Sequence, residues 1–148
     1  MEDPAREAAA EALLTASNAL LSIAIRSIAA GPADLTVVQH RTLVLVERLG
    51  VLSVNAVSAH LGVDQSTASR HCTRLAGLGL VTRTRATHDG RAVDVRLTPA
   101  GMQQVRAVRE ARRGEILRVL DRMSDSAVRE ALQGVGEFDA AAAGIPVL

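Results

Sequence analysis

The sequence predicts a mainly α-helical protein with one β-hairpin, an α+β fold in a single domain of 148 residues. Two observations support this. Apolar side chains recur every three or four residues along most of the chain, as on one face of an amphipathic helix. Between residues 80 and 97 the pattern changes to the alternation typical of β-strands, around an Asp89-Gly90 turn.

The first helix is predicted at about residues 5–30, where small and apolar side chains fall at helical spacing. It is long enough to pack against a partner helix, and Gly31-Pro32 ends it. The second helix opens at Thr36, which has capping-box spacing to Gln39, and it ends at Gly50.

Two short helices follow, separated by a glycine. The first spans residues 54–61 after Ser53 as its N-cap, and Gly62 ends it. The second spans residues 65–78 after Asp64 as its N-cap, and another glycine closes it. Two short helices joined by a tight turn with glycine are typical of a helix-turn-helix.

The hairpin and two further helices complete the chain. Residues 80–85 and 93–97 are the predicted strands. Thr98-Pro99 starts a fifth helix that runs to about Met123. The last helix begins after Ser124 and is expected to bury its apolar residues, Val128, Ala131, Leu132, Val135 and Phe138. This order predicts a winged helix-turn-helix with helical extensions at both termini.

The terminal helices are predicted to form a homodimer. Their apolar stripes are more than one small winged helix can bury, and the chain ends in the apolar tail of residues 144–148. We therefore assign residues 1–35 and 99–148 to dimerisation, and residues 36–98 to a DNA-binding lobe.

Composition argues against several classes of function. Phe138 is the only aromatic residue, which excludes a stacking platform for single-stranded nucleic acid. Cys72 is the only cysteine, and the four histidines lack ligand spacing, so neither a disulfide, a metal site nor a cofactor is expected. The sequence contains no phosphate-binding glycine loop, HExxH, nucleophile elbow or CxxC, which argues against an enzyme. With no secretory signal and no run of about 18 uncharged apolar residues, we expect a cytoplasmic protein without a membrane partner.

The distribution of charge favours a polyanionic partner. All 17 basic residues are arginines, although the net charge is only +1. Residues 64–96 carry six arginines and three acids, whereas the rest of the chain carries 11 arginines and 13 acids. A basic middle third suits a phosphate-facing surface.

The helix at residues 65–78 is predicted to lie in the major groove of double-stranded DNA. Its inner side is expected to carry Ala68, Cys72, Leu75 and Leu78. Its outer side carries arginines and short polar side chains and no acid: Gln65, Ser66, Ser69, Arg70, Thr73 and Arg74, with Thr67 beside them. Arginine reads guanine and glutamine reads adenine in that groove. Residues near the start of such a helix reach deepest, so Gln65, Ser66, Ser69 and Arg70 are the candidates for reading bases.

The hairpin is predicted to add a second DNA contact. Arg91 at its tip can enter the minor groove, where arginine is attracted by the negative potential, and Asp89 is spaced to orient the Arg91 guanidinium. Arg83, Arg85 and His88 are expected to touch phosphates.

The chain resembles the MarR family of regulators. The resemblance rests on four runs, at residues 64–70, 75–81, 89–92 and 97–101. It implies an obligate homodimer that binds a pseudo-palindromic operator, usually as a repressor, and that responds to a small ligand or to cysteine oxidation. The wing departs from the family's Asp-x-Arg-Asp-x-Arg pattern, because Ala86 and His88 replace the first pair.

The family's architecture also implies a small-molecule effector between the dimer helices and the DNA-binding lobe. The candidate residues are Ser17, Ile25, His40, Arg41 and Val44. Two alternatives remain open on the sequence. The lobe could bind a protein rather than DNA, or Cys72 could sense oxidants, although its predicted place in the core favours an inert side chain.

Overall fold

The computed structural model describes residues 3–86 and 92–143. Helices dominate this part of the chain, and three short strands form one sheet. In chain order the elements are α1 (Pro4–Ala29), α2 (Val37–Leu49), β1 (Leu52–Ser53), α3 (Val54–Leu61), α4 (Gln65–Gly77), β2 (Val81–Arg85), β3 (Val93–Leu97), α5 (Pro99–Leu120) and α6 (Asp125–Ala142). The predicted fold class, a winged helix-turn-helix, is confirmed.

The sheet is antiparallel in the order β1-β3-β2. The predicted hairpin pairs Val81 with Leu97 and Arg85 with Val93. Strand β1, which pairs Leu52 with Val95, was not predicted. Two residues are too few to display an alternating pattern, and only the fold brings them beside β3.

The predicted helix starts are confirmed by hydrogen bonds. Thr36 and Gln39 form the reciprocal capping box at the start of α2. The side chains of Ser53, Asp64 and Thr98 each accept a bond from a backbone N–H in the first turn of α3, α4 and α5. Gly62 ends α3 in the left-handed conformation (φ 64°), which favours glycine and makes the tight turn into α4 possible.

The prediction that Leu78 faces the core is wrong. Helix α4 ends at Gly77, and Leu78 lies at its C-cap with 42% of its surface exposed. The other three residues predicted on the inner side, Ala68, Cys72 and Leu75, are completely buried. Leu78 does not follow the other three because the chain turns out of the helix at Gly79 (φ 70°). Helix α5 also ends earlier than expected, at Leu120.

An aliphatic core lies between α2, α3, α4, the sheet and the first half of α5. Its fully buried members include Leu43, Val46, Val57, Leu75, Val95, Val105 and Val108. Only one side of α4 packs against this core, so the opposite side of the helix faces solvent.

Polar contacts join α5 to the preceding elements. The buried Gln104 amide bonds both backbone groups of Ala33, accepting from the N–H at 2.9 Å and donating to the carbonyl at 3.3 Å. Arg26 of α1 pairs with Glu115 at 2.6 Å, and Arg109 pairs with Glu47 of α2 at 2.7 Å. The long helix α5 is therefore fixed to both α1 and the lobe.

Much of the apolar surface of the terminal helices is exposed in a single chain, so the predicted burial of Leu132, Val135 and Phe138 on α6 is wrong at this level. Val128 and Ala131, the other two residues predicted to be buried there, are half-buried. No residue of α6 is buried: the exposed fractions of Leu132, Val135 and Phe138 are 77%, 64% and 57%. Helix α1 exposes Leu14, Leu20 and Leu21 as well. Among the described residues, α1 is also the one helix long and apolar enough to cross a membrane by length and composition. The apolar tail at residues 144–148 lies outside the described residues.

Candidate DNA-binding surface

Asp64 organises the start of α4. Its carboxylate accepts bonds from the Ser66 hydroxyl at 2.5 Å, the Thr67 backbone N–H at 2.8 Å and the Thr67 hydroxyl at 2.6 Å. Bonds from Ser66 and Thr67 hold the pKa of Asp64 well below its usual range, because they stabilise the ionised form. The first turn of α4 is therefore closed by a carboxylate that stays charged at ordinary pH.

Arg70 is connected to this network. Its Nη2 group donates to the Thr67 hydroxyl at 2.9 Å, and that hydroxyl in turn donates to Asp64. The guanidinium is thus drawn toward the N-terminal end of α4. In a recognition helix, this is the end that approaches the base edges.

The outer side of α4 is exposed as the sequence predicts, except at Ser69. Gln65, Ser66, Arg70, Thr73 and Arg74 are exposed, and Thr67 and Ser69 are half-buried. A shallow groove of about 560 Å³ runs along this side, lined by Ser69, Arg70, Thr73, Arg74, Gly77 and Leu78. The surface can donate and accept hydrogen bonds and presents two guanidinium groups.

Arg83 of β2 braces α4. Its Nη1 group donates to the Thr73 hydroxyl at 2.5 Å, and this hydroxyl donates to the Ser69 carbonyl at 2.9 Å. Its Nε atom is buried without a hydrogen-bond partner among the described residues. The sequence predicts a phosphate contact for Arg83, but part of its guanidinium is already bonded to Thr73 of α4. Arg85 is exposed at the end of β2.

The rest of the predicted wing contact lies outside the described residues. His88, Asp89 and Arg91 fall within residues 87–91. Their contribution to the surface remains the prediction made from the sequence.

Sequence reasoning missed one residue at this surface. Asn55, on the first turn of α3, accepts a hydrogen bond from the Gln65 side-chain amide at 2.5 Å. Both residues line a cleft of about 270 Å³ between α3, α4 and the sheet, together with Ser53, Val54, Ser69, Arg83, Ala92 and Val93. Nothing in the local sequence indicates this pair, because the crossing of the two helices brings them together.

The five candidate effector residues have different surroundings. Ser17 and Ile25 are exposed on α1, Arg41 and Val44 are half-buried on α2, and His40 is buried. The two clefts near α4 include none of them. They therefore remain candidates, supported by the family's architecture alone.

His40 is held in its neutral form. Burial, and after it the positive charges of Arg112 and Arg109, lower the pKa of the imidazole from 6.5 to about 4, while Glu47 opposes the shift. Its Nδ1 atom has no hydrogen-bond partner within the part of the chain described. Nearby on α5, Arg112 donates through Nε to the Ser27 hydroxyl at 3.2 Å.

Neither a reactive thiol nor a metal site is apparent in residues 3–86 and 92–143. Cys72 is completely buried, and this burial raises the pKa of its thiol although Arg83 opposes the shift. A protonated, enclosed thiol is a poor nucleophile toward oxidants. Within the same ranges, no group of three or more His, Cys, Asp or Glu side chains could hold a metal ion.

Comparison with known sequences links the chain to a family of regulators. The sequence model of the MarR family matches residues 33–92, from the start of the helix-turn-helix lobe to the hairpin. The HTH-type transcriptional repressor IacR of Pseudomonas putida is 31% identical over 80 residues. That match covers 54% of this chain and 48% of IacR, so it spans about half the length of the repressor.

Comparison with solved structures extends the likeness over the full chain. RV1404 from Mycobacterium tuberculosis is 32% identical, with a TM-score of 0.83 and 97% of both chains covered. FabT of Streptococcus pneumoniae, solved in complex with DNA, shares the fold at 20% identity, with a TM-score of 0.67 and coverage of 90% and 94%. Together with the arginine-bearing outer side of α4, these findings show that the chain belongs to the MarR family of DNA-binding transcription regulators.

Proposed function

We propose that this protein is a ligand-responsive repressor that binds a pseudo-palindromic operator as a cytoplasmic homodimer. Each subunit inserts α4 into the major groove and rests its hairpin beside it. Two-fold symmetry places two recognition helices about 34 Å apart, which is one turn of DNA. The division into an operator-binding lobe at residues 36–98 and dimerisation helices at residues 1–35 and 99–148 is part of the same proposal.

The outer side of α4 carries this proposal. It offers Arg70, Arg74 and Gln65 for base edges, and Ser66, Thr67, Ser69 and Thr73 for bases or phosphates. An ordinary solvated helix face would carry acids, and this one has none between Gln65 and Gly77. Arg85, Arg83, His88 and the Asp89–Arg91 pair would extend the contact to neighbouring phosphates and to the minor groove.

The effector hypothesis rests on the family's architecture. A small molecule bound near His40, Arg41 and Val44 would lie on α2, the helix that packs against α5, whereas Ser17 and Ile25 are exposed on α1. A ligand there could change the spacing of the two recognition helices, because α5 is fixed to both α1 and α2 by ion pairs.

A footprint on the DNA flanking the protein's own gene tests the proposal. We expect protection of two half-sites about 10 base pairs apart, and an affinity that falls steeply with salt, because arginines displace the counterions of DNA. Repeating the footprint with and without candidate small-molecule ligands tests the effector. Absence of binding to any flanking duplex in dilute salt would contradict the proposal.

The variant Arg70→Ala locates the reading surface. We expect it to weaken operator binding by about 1–3 kcal/mol and to relax base preference at one position of each half-site. The matched control is Arg122→Ala, which removes the same charge from the exposed turn between α5 and α6. If both variants weaken binding equally, α4 does not read the operator.

A further inference from the structure

A hydrogen bond between two side chains joins the two helices of the helix-turn-helix. Asn55 lies on α3, on the opposite side of the turn from Gln65, the first residue of α4. The Gln65 Nε2 group donates to the Asn55 Oδ1 atom at 2.5 Å, and both side chains are exposed at the mouth of the 270 Å³ cleft. The contact therefore ties together two helices at the place where α4 begins.

The hydrogen bond to Asn55 uses only part of the hydrogen-bonding capacity of the Gln65 amide. A glutamine amide has two N–H donors and one carbonyl acceptor. Asn55 takes one donor, which fixes the plane of the amide and leaves Oε1 and the second N–H available. One acceptor and one donor, side by side, are the groups that glutamine uses to read adenine in the major groove.

We propose that Asn55 is a positioning residue that determines the base specificity of Gln65. This inference rests on the proposed function, in which α4 lies in the major groove. Asn55 acts by holding the amide in its reading orientation before DNA arrives. A long side chain ordered in advance does not lose its rotamer freedom on binding, which increases the discrimination it can provide.

Base selection from a random library tests the proposal and does not require the operator sequence to be known. The probe is a duplex library with a randomised segment of about 20 base pairs, the span of two half-sites. Selections are run with the wild-type dimer and with Asn55→Ala, Gln65→Ala and the double variant. Thermal melting checks that each variant is folded, which we expect because both side chains are exposed.

We expect Gln65→Ala to lose base preference at one position of each half-site. Asn55→Ala should lose about tenfold in discrimination at that same position, and the salt dependence of binding should be unchanged. The double variant should be no worse than Gln65→Ala, because Asn55 acts only through Gln65. Asn55→Asp keeps the acceptor oxygen, so it should retain the preference while its added charge weakens binding to all sequences evenly.

The outcomes separate this inference from the proposed function. If the wild-type protein selects no sequence, both are overturned. If it selects a sequence and Gln65→Ala changes the preference, but Asn55→Ala does not, then only the positioning by Asn55 is refuted. A further loss from Asn55→Ala in the Gln65→Ala background would also refute it, because Asn55 would then contact DNA itself.

Discussion

His40 shows how one buried side chain makes the stability of this fold depend on pH. It lies on α2 with 5% of its surface exposed. Burial first, and then the charges of Arg112 and Arg109 on α5, disfavour a further positive charge there. Because the pKa of His40 is lowered, the folded protein binds the proton only near pH 4, whereas the unfolded chain binds it near the ordinary value of 6.5. Between these values the unfolded state holds more protons, so stability rises with pH.

We predict that the His40 contribution to stability is complete above pH 6.5 and is lost as pH falls toward 4. The loss over this range should be about 3 kcal/mol in total. Denaturant unfolding across this range, compared with the non-titrating variant His40→Gln, isolates the effect from that of the carboxylates. An imidazole NMR signal of His40 that titrates near pH 6.5 would contradict the prediction.

Residues of the candidate DNA-binding surface show where sequence reasoning reached its limit. The exposure of Arg70 and Arg74 follows from helical spacing, because the opposite positions are apolar and must face the core. The contacts of Arg83 with Thr73 and of Gln65 with Asn55 join residues ten positions apart. Such pairs depend on how α3, α4 and β2 pack against one another, and this packing cannot be predicted from a local sequence pattern.

At the scale of the element, the beginnings of helices were the easiest features to predict. A cap is a contact over two or three residues, so Thr36, Ser53, Asp64 and Thr98 could be identified from the sequence. Features that need a distant partner could not. Strand β1 exists only because β3 pairs with it, and the early end of α4 turns Leu78 toward solvent.

The first turn of α5 is packed so closely that only glycine fits at position 101. A Cβ atom at Gly101 would overlap the carbonyl oxygen of Leu80 and lie 2.9 Å from the Leu97 side chain. That carbonyl accepts the Thr98 backbone N–H at 3.1 Å, so it cannot move without breaking the junction between α5 and the sheet.

We predict that Gly101→Ala destabilises the protein by about 1–3 kcal/mol, as overpacking of a rigid site does. Gly77→Ala is the matched control, because a Cβ there would meet nothing within 4 Å. It should leave stability unchanged or raise it by about 0.5–1 kcal/mol, since alanine favours helix. Thermal unfolding of the two variants measures the difference, and equal stabilities would refute the close approach.

At the scale of the whole molecule, the largest unexplained feature is the apolar surface of the terminal helices. The sequence predicts burial for α6, and in one chain Leu132, Val135 and Phe138 are all exposed. An apolar stripe predicts that its side chains are buried. It does not tell whether the surface that buries them belongs to the same chain or to another molecule. Large exposed apolar patches generally mark an interface with another protein or a membrane.

A second copy of this chain is the partner that the proposed function requires. Covering a leucine, valine or phenylalanine contributes about 1.5–3 kcal/mol each, and a two-fold axis counts every such contact twice. We therefore predict that the protein sediments at twice its chain mass of 15.5 kDa without detergent. Sedimentation as a monomer without detergent would contradict this prediction. A requirement for detergent would also contradict it, and would favour a membrane as the partner of the apolar α1.

The double variant Leu132→Asp/Val135→Asp tests which surface holds the dimer together. Two carboxylates at the centre of the stripe should give a folded monomer, because the core at α2 to α5 contains no residue of α6. Operator affinity should fall at least tenfold, since one lobe alone contacts one half-site. Val37→Asp, at an exposed apolar position on α2, is the control and should leave the dimer intact. A double variant that remains dimeric would exclude this part of α6 from the interface.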